Sequence, residues 1–143
     1  QLAEIEALLP TPTEQATANL AEFVRQAWPV VEPTTPLVWG WHLDAICEHL
    51  AYVYLGDIRN LMINIPPRMT KSSVVSVAFN GWVWTDSPET QFLCASYAQD
   101  LADLDAAKTR RLVESSWYRD RWGDAFQQHQ QNLEWQRIFF AHF

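Results

Sequence analysis

The sequence predicts a domain of the α/β class, in which strands and helices alternate along the chain. Apolar runs at 61–65 and 90–96 predict two strands, and we expect helices at 72–84 and 98–114. Strand, helix, strand and helix in that order make a βαβ unit, which predicts a three-layer α/β sandwich. At 143 residues and 48% hydrophobic, the chain can bury one ordinary core, so it forms one domain or part of one.

The first predicted helix begins at a capping box. Thr11 is expected to be the N-cap, with Pro12 at the first helical position and Glu14 at the third. We expect this helix to run through Trp28 and to end at Pro29. Its buried face repeats at helical spacing and comprises Leu20, Phe23, Val24, Ala27 and Trp28.

A second helix is expected before the first strand. Residues 30–40 contain Pro33 and Pro36 and are predicted to form an extended connection. The helix that follows should end at Gly56, a C-cap glycine. Its predicted buried positions are Leu43, Ile46, Cys47 and Leu50. The two cysteines of the chain lie far apart without a histidine cluster, so we expect small buried thiols in a reducing compartment, not a zinc site or a disulfide.

The segment from 61 to 73 carries the strongest functional signal. The apolar run 61–65 is typical of a central parallel strand that is covered on both faces, and it leads into Pro-Pro-Arg and then Lys71-Ser72. In the phosphate-loop pattern GxxxxGK(S/T), backbone N–H groups at a helix start bind the phosphates, the lysine reaches the β- and γ-phosphates, and the hydroxyl binds Mg²⁺. Lys71 and Ser72 fit these roles, whereas Ile65 and Thr70 replace the two glycines.

Each residue of this loop also has an ordinary structural explanation. Lys71 could be a solvated lysine, although a positive charge at a helix start is unfavourable without an anion. Ser72 could be only an N-cap, and Arg68 could be an exposed loop arginine. Thr70 departs most from the pattern, because a β-branched residue tolerates such backbone geometry at a cost of about 1–3 kcal/mol. If binding had to overcome that cost, nucleotide affinity would fall about tenfold to a hundredfold.

The loop resembles the variant phosphate loop, Pro-Pro-Arg-x-Gly-Lys-Ser, of the large terminase subunits of tailed phages. Residues 41–50 with Gly56, then 92–102 and 116–124, resemble neighbouring segments of that family, so the resemblance covers roughly 23–126. It implies that 1–126 is the amino-terminal part of a P-loop ATPase domain and that 127–143 is a divergent tail. The family hydrolyses ATP to move double-stranded DNA into a procapsid. Its partners are a small terminase subunit, the portal protein and DNA, in the cytoplasm of a phage-infected or lysogenic bacterium.

The resemblance also implies roles for individual residues. Lys71 and Arg68 would be catalytic, with Arg68 reaching the γ-phosphate or its transition state. Ser72 would be the metal ligand for the Mg²⁺ that accompanies ATP. His42 resembles a His or Gln that helps to hold adenine in several of these ATPases, although a surface histidine at a helix start is an equally good alternative. The implied ATP-binding set is Pro67, Arg68, Met69, Thr70, Lys71, Ser72, Ser73 and His42.

The sequence lacks the Walker B strand of that family, an apolar run that ends in Asp-Glu or Asp-Asp. The nearest apolar run, 138–141, is followed by His142 and Phe143, and the glycine-rich segment that precedes Walker B is missing too. A truncated or disrupted gene product is the simplest explanation, and such a chain is not expected to be active alone. Alternatives are a non-catalytic prophage-derived remnant or interaction module, or another P-loop ATPase such as a helicase-like protein.

Charge and composition limit the partners of the chain. A net charge of −7 argues against bulk attraction of nucleic acid, so DNA binding by this chain is expected to be weak. Lys108, Arg110 and Arg111 are expected to form a solvated helix end. The eight tryptophans are expected to pack in the core and at interfaces rather than to stack on bases. No apolar stretch approaches the ~20 residues that span a bilayer, which predicts a soluble, unsecreted protein without a membrane partner.

Overall fold

The computed structural model describes residues 10–130 and 138–142, and it shows a mostly helical protein with one small parallel sheet. Helices precede the two strands of this sheet and separate them along the chain. A short π-helix, in which hydrogen bonds join residues five apart, lies directly before α4. In chain order the elements are α1 Pro12–Ala18, α2 Leu20–Val31, α3 Trp41–Leu55, the π-helix Ser73–Ala78, α4 Phe79–Asp86, β1 Phe92–Ser96, α5 Gln99–Glu114, α6 Ser116–Gln130 and β2 Ile138–His142.

The two strands are parallel, with Phe92 opposite Ile138 and Ser96 opposite His142. Parallel neighbours need a long crossover connection, and here α5 and α6 lie between the two strands in the chain. The predicted strand at 90–96 is therefore confirmed with a later start, and the predicted helix at 98–114 is confirmed as α5. The tail predicted at 127–143 contains the end of α6 and the whole of β2.

The predicted strand at 61–65 is not formed as a hydrogen-bonded strand. The segment alternates like one, because Leu61, Ile63 and Ile65 pack half-buried against the core while Met62 is 84% exposed. A strand also needs a neighbour for its backbone hydrogen bonds, and within the described part of the chain only β1 and β2 are paired in this way. The expectation that both faces would be covered is also wrong for the residues described, since only one face of this segment is packed.

The predicted capping box is confirmed at the start of α1. Thr11 Oγ1 accepts a hydrogen bond from the Glu14 N–H at 3.2 Å, and Glu14 Oε2 accepts from the Thr11 N–H at 2.7 Å. The helix is not continuous, however, because Asn19 ends α1 and caps α2 by accepting hydrogen bonds with its side chain. Pro29 does not end α2: it lies exposed inside the last turn, and the helix continues until Val31 is buried.

Helix α3 matches its prediction. All four positions expected to be buried are buried, and the helix ends at Gly56, whose φ of 86° is the left-handed conformation of a C-cap glycine. Cys47 is buried and Cys94 is half-buried, and both thiols are free. Within residues 10–130, no helix combines the length and the apolar composition that a bilayer span requires.

Aromatic residues fill the centre of the core. Phe23 of α2 is fully buried, and its ring lies 5.4 Å from Trp117, 6.4 Å from Tyr118 and 5.6 Å from Trp122. Several indole N–H groups donate to oxygen atoms inside the fold, namely Trp28 to Thr35, Trp82 and Trp122 to Thr17, and Trp84 to Thr90. The prediction that the tryptophans pack is confirmed for these residues; Trp41, by contrast, is 82% exposed.

Candidate phosphate-binding loop

The candidate loop, residues 66–73, connects the extended segment 61–65 to a helix. Helical conformation begins at Lys71, and the Val74 N–H donates to the Thr70 carbonyl at 3.1 Å to close the first turn. The helix predicted at 72–84 is confirmed in position and continues to Asp86, although its first part is the π-helix. The loop therefore ends at a helix start, where backbone N–H groups without intrahelical partners are concentrated.

The loop backbone contains two residues with positive φ, separated by one residue. Arg68 has a φ of 67° and Thr70 a φ of 61°, and they are the only non-glycine residues with positive φ in the described part of the chain. Met69 between them and Lys71 after them have ordinary negative φ. Positive φ at alternate residues beside a helix start is a feature that this loop shares with anion-binding nests, in which successive N–H groups turn toward one point.

The conformation of Thr70 confirms that this position requires the geometry for which phosphate loops use glycine. A β-branched residue with positive φ is strained by about 1–3 kcal/mol. The Thr70 hydroxyl donates to the Met69 carbonyl at 2.6 Å, which gives this side chain a local partner. Because the fold itself holds Thr70 in this conformation, the strain lowers folding stability, and the expected penalty on nucleotide affinity need not apply.

We predict that Thr70→Gly raises the free energy of unfolding by about 0.5–1 kcal/mol. Glycine relieves the backbone strain, but its greater entropy in the unfolded chain cancels part of that gain. Thr70→Asn is the matched variant, because asparagine tolerates positive φ without the greater unfolded-chain entropy of glycine. It should raise the free energy of unfolding at least as much as Thr70→Gly. Urea unfolding of the three proteins measures the effect, and nucleotide affinity should change by less than about threefold. A tenfold gain in affinity with unchanged stability would show instead that Thr70 enters this conformation only on binding.

Lys71 and Ser72 both have side chains with unused polar groups. Lys71 is half-buried, and its ammonium forms no ion pair or hydrogen bond with any residue that the structure describes. Ser72 is exposed and has helical dihedral angles, φ −64° and ψ −42°, without a capping hydrogen bond. The alternative that Ser72 is only an N-cap is therefore wrong, because an N-cap residue has non-helical angles. The Lys71 ammonium could therefore contact the phosphates of ATP, and the Ser72 hydroxyl could bind the accompanying Mg²⁺.

The other predicted ligands of the loop have different surroundings. Pro67, Arg68 and Met69 are exposed, so the Arg68 guanidinium is accessible to a phosphate. Ser73 is buried, and its hydroxyl donates to Glu32 Oε1 at 2.5 Å. The side chain of Ser73 is thus engaged inside the fold, and only its backbone N–H remains as a ligand group.

His42 lies outside the loop, at the second residue of α3. It is half-buried, and its ring stands edge-on to Trp41 with the centroids 6.4 Å apart. A Cβ atom at residue 40 would lie 2.8 Å from His42 Nδ1, so Gly40 makes room for this ring. Among the described residues no hydrogen bond joins His42 to the loop, and its adenine role stays a prediction.

The π-helix after the loop was not predicted. The Phe79 N–H donates to the Val74 carbonyl five residues earlier, so the helix is wider here than an α-helix. Its valines and Ser73 are mostly buried, which shows that tertiary packing maintains the segment despite its poor helix propensity. Single π-turns inside helices occur often at functional sites, and this one begins directly after Lys71 and Ser72.

A half-buried polar cluster behind the loop, formed by Glu32, Ser73 and Lys108, was also missed. Glu32 Oε1 accepts hydrogen bonds from Ser73 and from the Lys108 ammonium. The expectation that Lys108 belongs to a solvated helix end is wrong, whereas Arg110 and Arg111 are exposed as expected. One sequence signal was present: Lys108 lies four residues before the fully buried Leu112, and a charged residue on that helix face suggests a buried partner.

The pKa values of Glu32 and Asp105 depend on the charges around them. Burial by itself would raise the pKa of Glu32, but hydrogen bonds from Lys108 and Ser73, with the charges of Lys108 and Arg111, hold that pKa below its ordinary value. Burial raises the pKa of Asp105, and the Glu32 charge adds to the rise, while Lys108 and a hydrogen bond from Ser76 oppose it. Glu32 is therefore the ionised carboxylate that balances Lys108 behind the loop.

Comparison with known proteins gives no family assignment: no protein-family model, no curated protein and no solved structure matches the chain. Residues 10–130 and 138–142 contain no group of three or more His, Cys, Asp and Glu side chains that could hold a metal ion. The Ser72 hydroxyl could supply one oxygen ligand to Mg²⁺, and phosphates of a nucleotide commonly supply others.

Proposed function

We propose that the chain is the amino-terminal part of a P-loop ATPase domain of the large-terminase type, and that the candidate loop binds the phosphates of Mg·ATP. The observation that carries this proposal is the loop backbone, in which Arg68 and Thr70 have positive φ on either side of Met69 and lead directly to a helix start at Lys71. Positive φ at alternate residues and a helix start are features by which backbone N–H groups bind phosphate in such loops.

The side chains complete the proposed site. The free ammonium of Lys71 contacts the β- and γ-phosphates and balances its own unfavourable position at a helix start. The Ser72 hydroxyl coordinates Mg²⁺, and the exposed Arg68 reaches the γ-phosphate. His42 is proposed to contact adenine, since α3 precedes the loop in the chain as the resembling helix does.

The three-layer P-loop sandwich is the proposed complete fold. In it the extended segment 61–65 would be a strand of the same sheet as β1 and β2, and a further layer would cover its exposed face. Strand β2 follows β1, α5 and α6 in the chain, and the Walker B strand of the family occupies the corresponding position. Strand β2 ends at His142, however, and not at an acidic pair. In the proposed whole motor the partners are the small terminase subunit, the portal protein and double-stranded DNA, in the host cytoplasm.

A second candidate is a non-catalytic interaction module. The observation in its favour is that several large apolar side chains are exposed: Met62 and Tyr97 are each 84% exposed, and Leu93 in β1 is 73% exposed. Exposed apolar side chains that form one contiguous patch are typical of protein interfaces. This candidate predicts no nucleotide binding, so one titration separates the two.

Calorimetric titration with a non-hydrolysable ATP analogue and Mg²⁺ tests the proposal. We expect binding by the wild type and a loss of about tenfold to a hundredfold in affinity for Lys71→Ala, the usual cost of removing a charged hydrogen bond to phosphate. Arg110→Ala is the matched control, because it removes one exposed positive charge from α5 and should bind like the wild type. Equal binding by wild type and Lys71→Ala, or none by the wild type at millimolar nucleotide, would refute the proposed function.

A further inference from the structure

Glu32 connects three parts of the fold behind the candidate loop. It follows the last residue of α2, and a single carboxylate oxygen, Oε1, accepts hydrogen bonds from Ser73 at the start of the π-helix and from Lys108 in α5. The side chains of Lys108 and Glu32 are 15% and 19% exposed, so both are half-buried. Half-buried ionic groups with good hydrogen bonds fix geometry strongly, because any displacement leaves a charge unpaired.

The residue that Glu32 fixes is adjacent to the candidate ligands. Ser73 directly follows Lys71 and Ser72, and the Val74 N–H donates to the carbonyl of the strained Thr70. The strain at Arg68 and Thr70 favours relaxation of this segment unless neighbouring groups hold it. The hydrogen bond from the Ser73 hydroxyl to Glu32 joins this helix start to the rest of the fold.

We propose that Glu32 is a positioning residue that, through Ser73 and with Lys108 as its counter-ion, holds the candidate loop in its phosphate-binding conformation. This inference rests on the proposed function for its role in nucleotide binding. A loop that is already ordered loses less entropy when it binds a ligand, so release of Ser73 should weaken binding without removing any side chain that touches the nucleotide.

Ser73→Ala is the variant that tests the inference, because it detaches the loop helix and leaves the Glu32 and Lys108 charges paired. Glu32→Gln would leave Lys108 half-buried without its counter-ion and risks unfolding the protein. Ser76→Ala is the matched control: it removes a half-buried hydroxyl from the same π-helix, and among the described residues that hydroxyl forms no hydrogen bond with Glu32. Ser73→Thr keeps the hydroxyl and should restore wild-type behaviour.

Two measurements are made on the wild type and these three serine variants. The first is hydrogen exchange of the Val74 amide, which donates to Thr70 and reports the loop conformation without nucleotide. We expect it to accelerate about threefold to tenfold in Ser73→Ala and to stay within about twofold of wild type in Ser73→Thr and Ser76→Ala. The second is affinity for Mg²⁺ with a non-hydrolysable ATP analogue, which should fall by the same factor in Ser73→Ala alone.

The possible outcomes separate the inference from the proposed function. Unchanged Val74 exchange in Ser73→Ala, or an equal change in Ser76→Ala, overturns the positioning role whether or not nucleotide binds. Accelerated exchange with unchanged affinity overturns the role in binding. If Val74 exchange is faster in Ser73→Ala but the wild type binds no nucleotide, the positioning role of Glu32 is supported and the proposed function is refuted.

Discussion

The purified chain is expected to hydrolyse ATP at least about a hundredfold more slowly than one turnover per second, even when Mg·ATP is bound in the way proposed above. Phosphoryl transfer requires a clamped nucleotide, a held metal ion and a water positioned for in-line attack. Carboxylates perform much of the last two tasks, and the sequence contains no two adjacent acidic residues. Strand β2 ends at His142, which cannot replace an acidic pair as a metal ligand for Mg²⁺.

A phosphate-release assay measures this rate, and Lys71→Ala controls for a contaminating ATPase. Turnover that is slow in the wild type and equal in the variant supports the account. Turnover near one per second that disappears in Lys71→Ala would contradict it, because another carboxylate or a second molecule would then complete the site. Such a result would also show that the chain is a working ATPase.

Phe23→Ala is expected to lower the free energy of unfolding by about 3–5 kcal/mol, which is a large part of the roughly 5–15 kcal/mol typical of a whole domain. The Phe23 ring is fully buried and contacts the aromatic side chains of α6 at its edges and faces. Removing it leaves a cavity lined by rigid rings, which cannot collapse to fill the space.

Urea unfolding followed by circular dichroism gives the measurement, with Met62→Ala as the control. Met62 is 84% exposed, so its truncation should change stability by less than about 0.5 kcal/mol. A loss below about 1 kcal/mol for Phe23→Ala would mean that α2 and α6 are not packed together through this aromatic cluster. Trp117 and Trp122 would then lack the packing that this structure gives them.

Helix faces were predictable from the sequence because their pattern is local. The spacing of apolar residues in α2 and α3 identified the buried side chains, and Gly56 marked the end of α3. The unusual backbone at Thr70 was also predictable, since the motif assigns this position to glycine for a conformational reason that remains when the residue changes. These features depend on residues a few positions apart.

Features that depend on distant residues were not predictable. The bond between Ser73 and Glu32 joins residues 41 positions apart, and only the fold brings them together. The extended segment 61–65 has the alternation of a strand, but whether it forms one depends on a neighbour elsewhere in the chain. Pro29 should have ended its helix by local rules, yet the packing of Val31 extends α2 past it.

An NMR titration tests most directly the central claim, that the candidate loop binds the phosphates of a nucleotide. Amide shifts of ¹⁵N-labelled protein would be followed with Mg²⁺ and a non-hydrolysable ATP analogue, and with Mg²⁺ and AMP, which lacks the β- and γ-phosphates. We expect saturable shifts of the amides of Arg68, Met69, Lys71 and Ser72 with the ATP analogue and much smaller ones with AMP. Shifts that are equal for both nucleotides, or that leave these loop amides unchanged at millimolar analogue, would contradict the account.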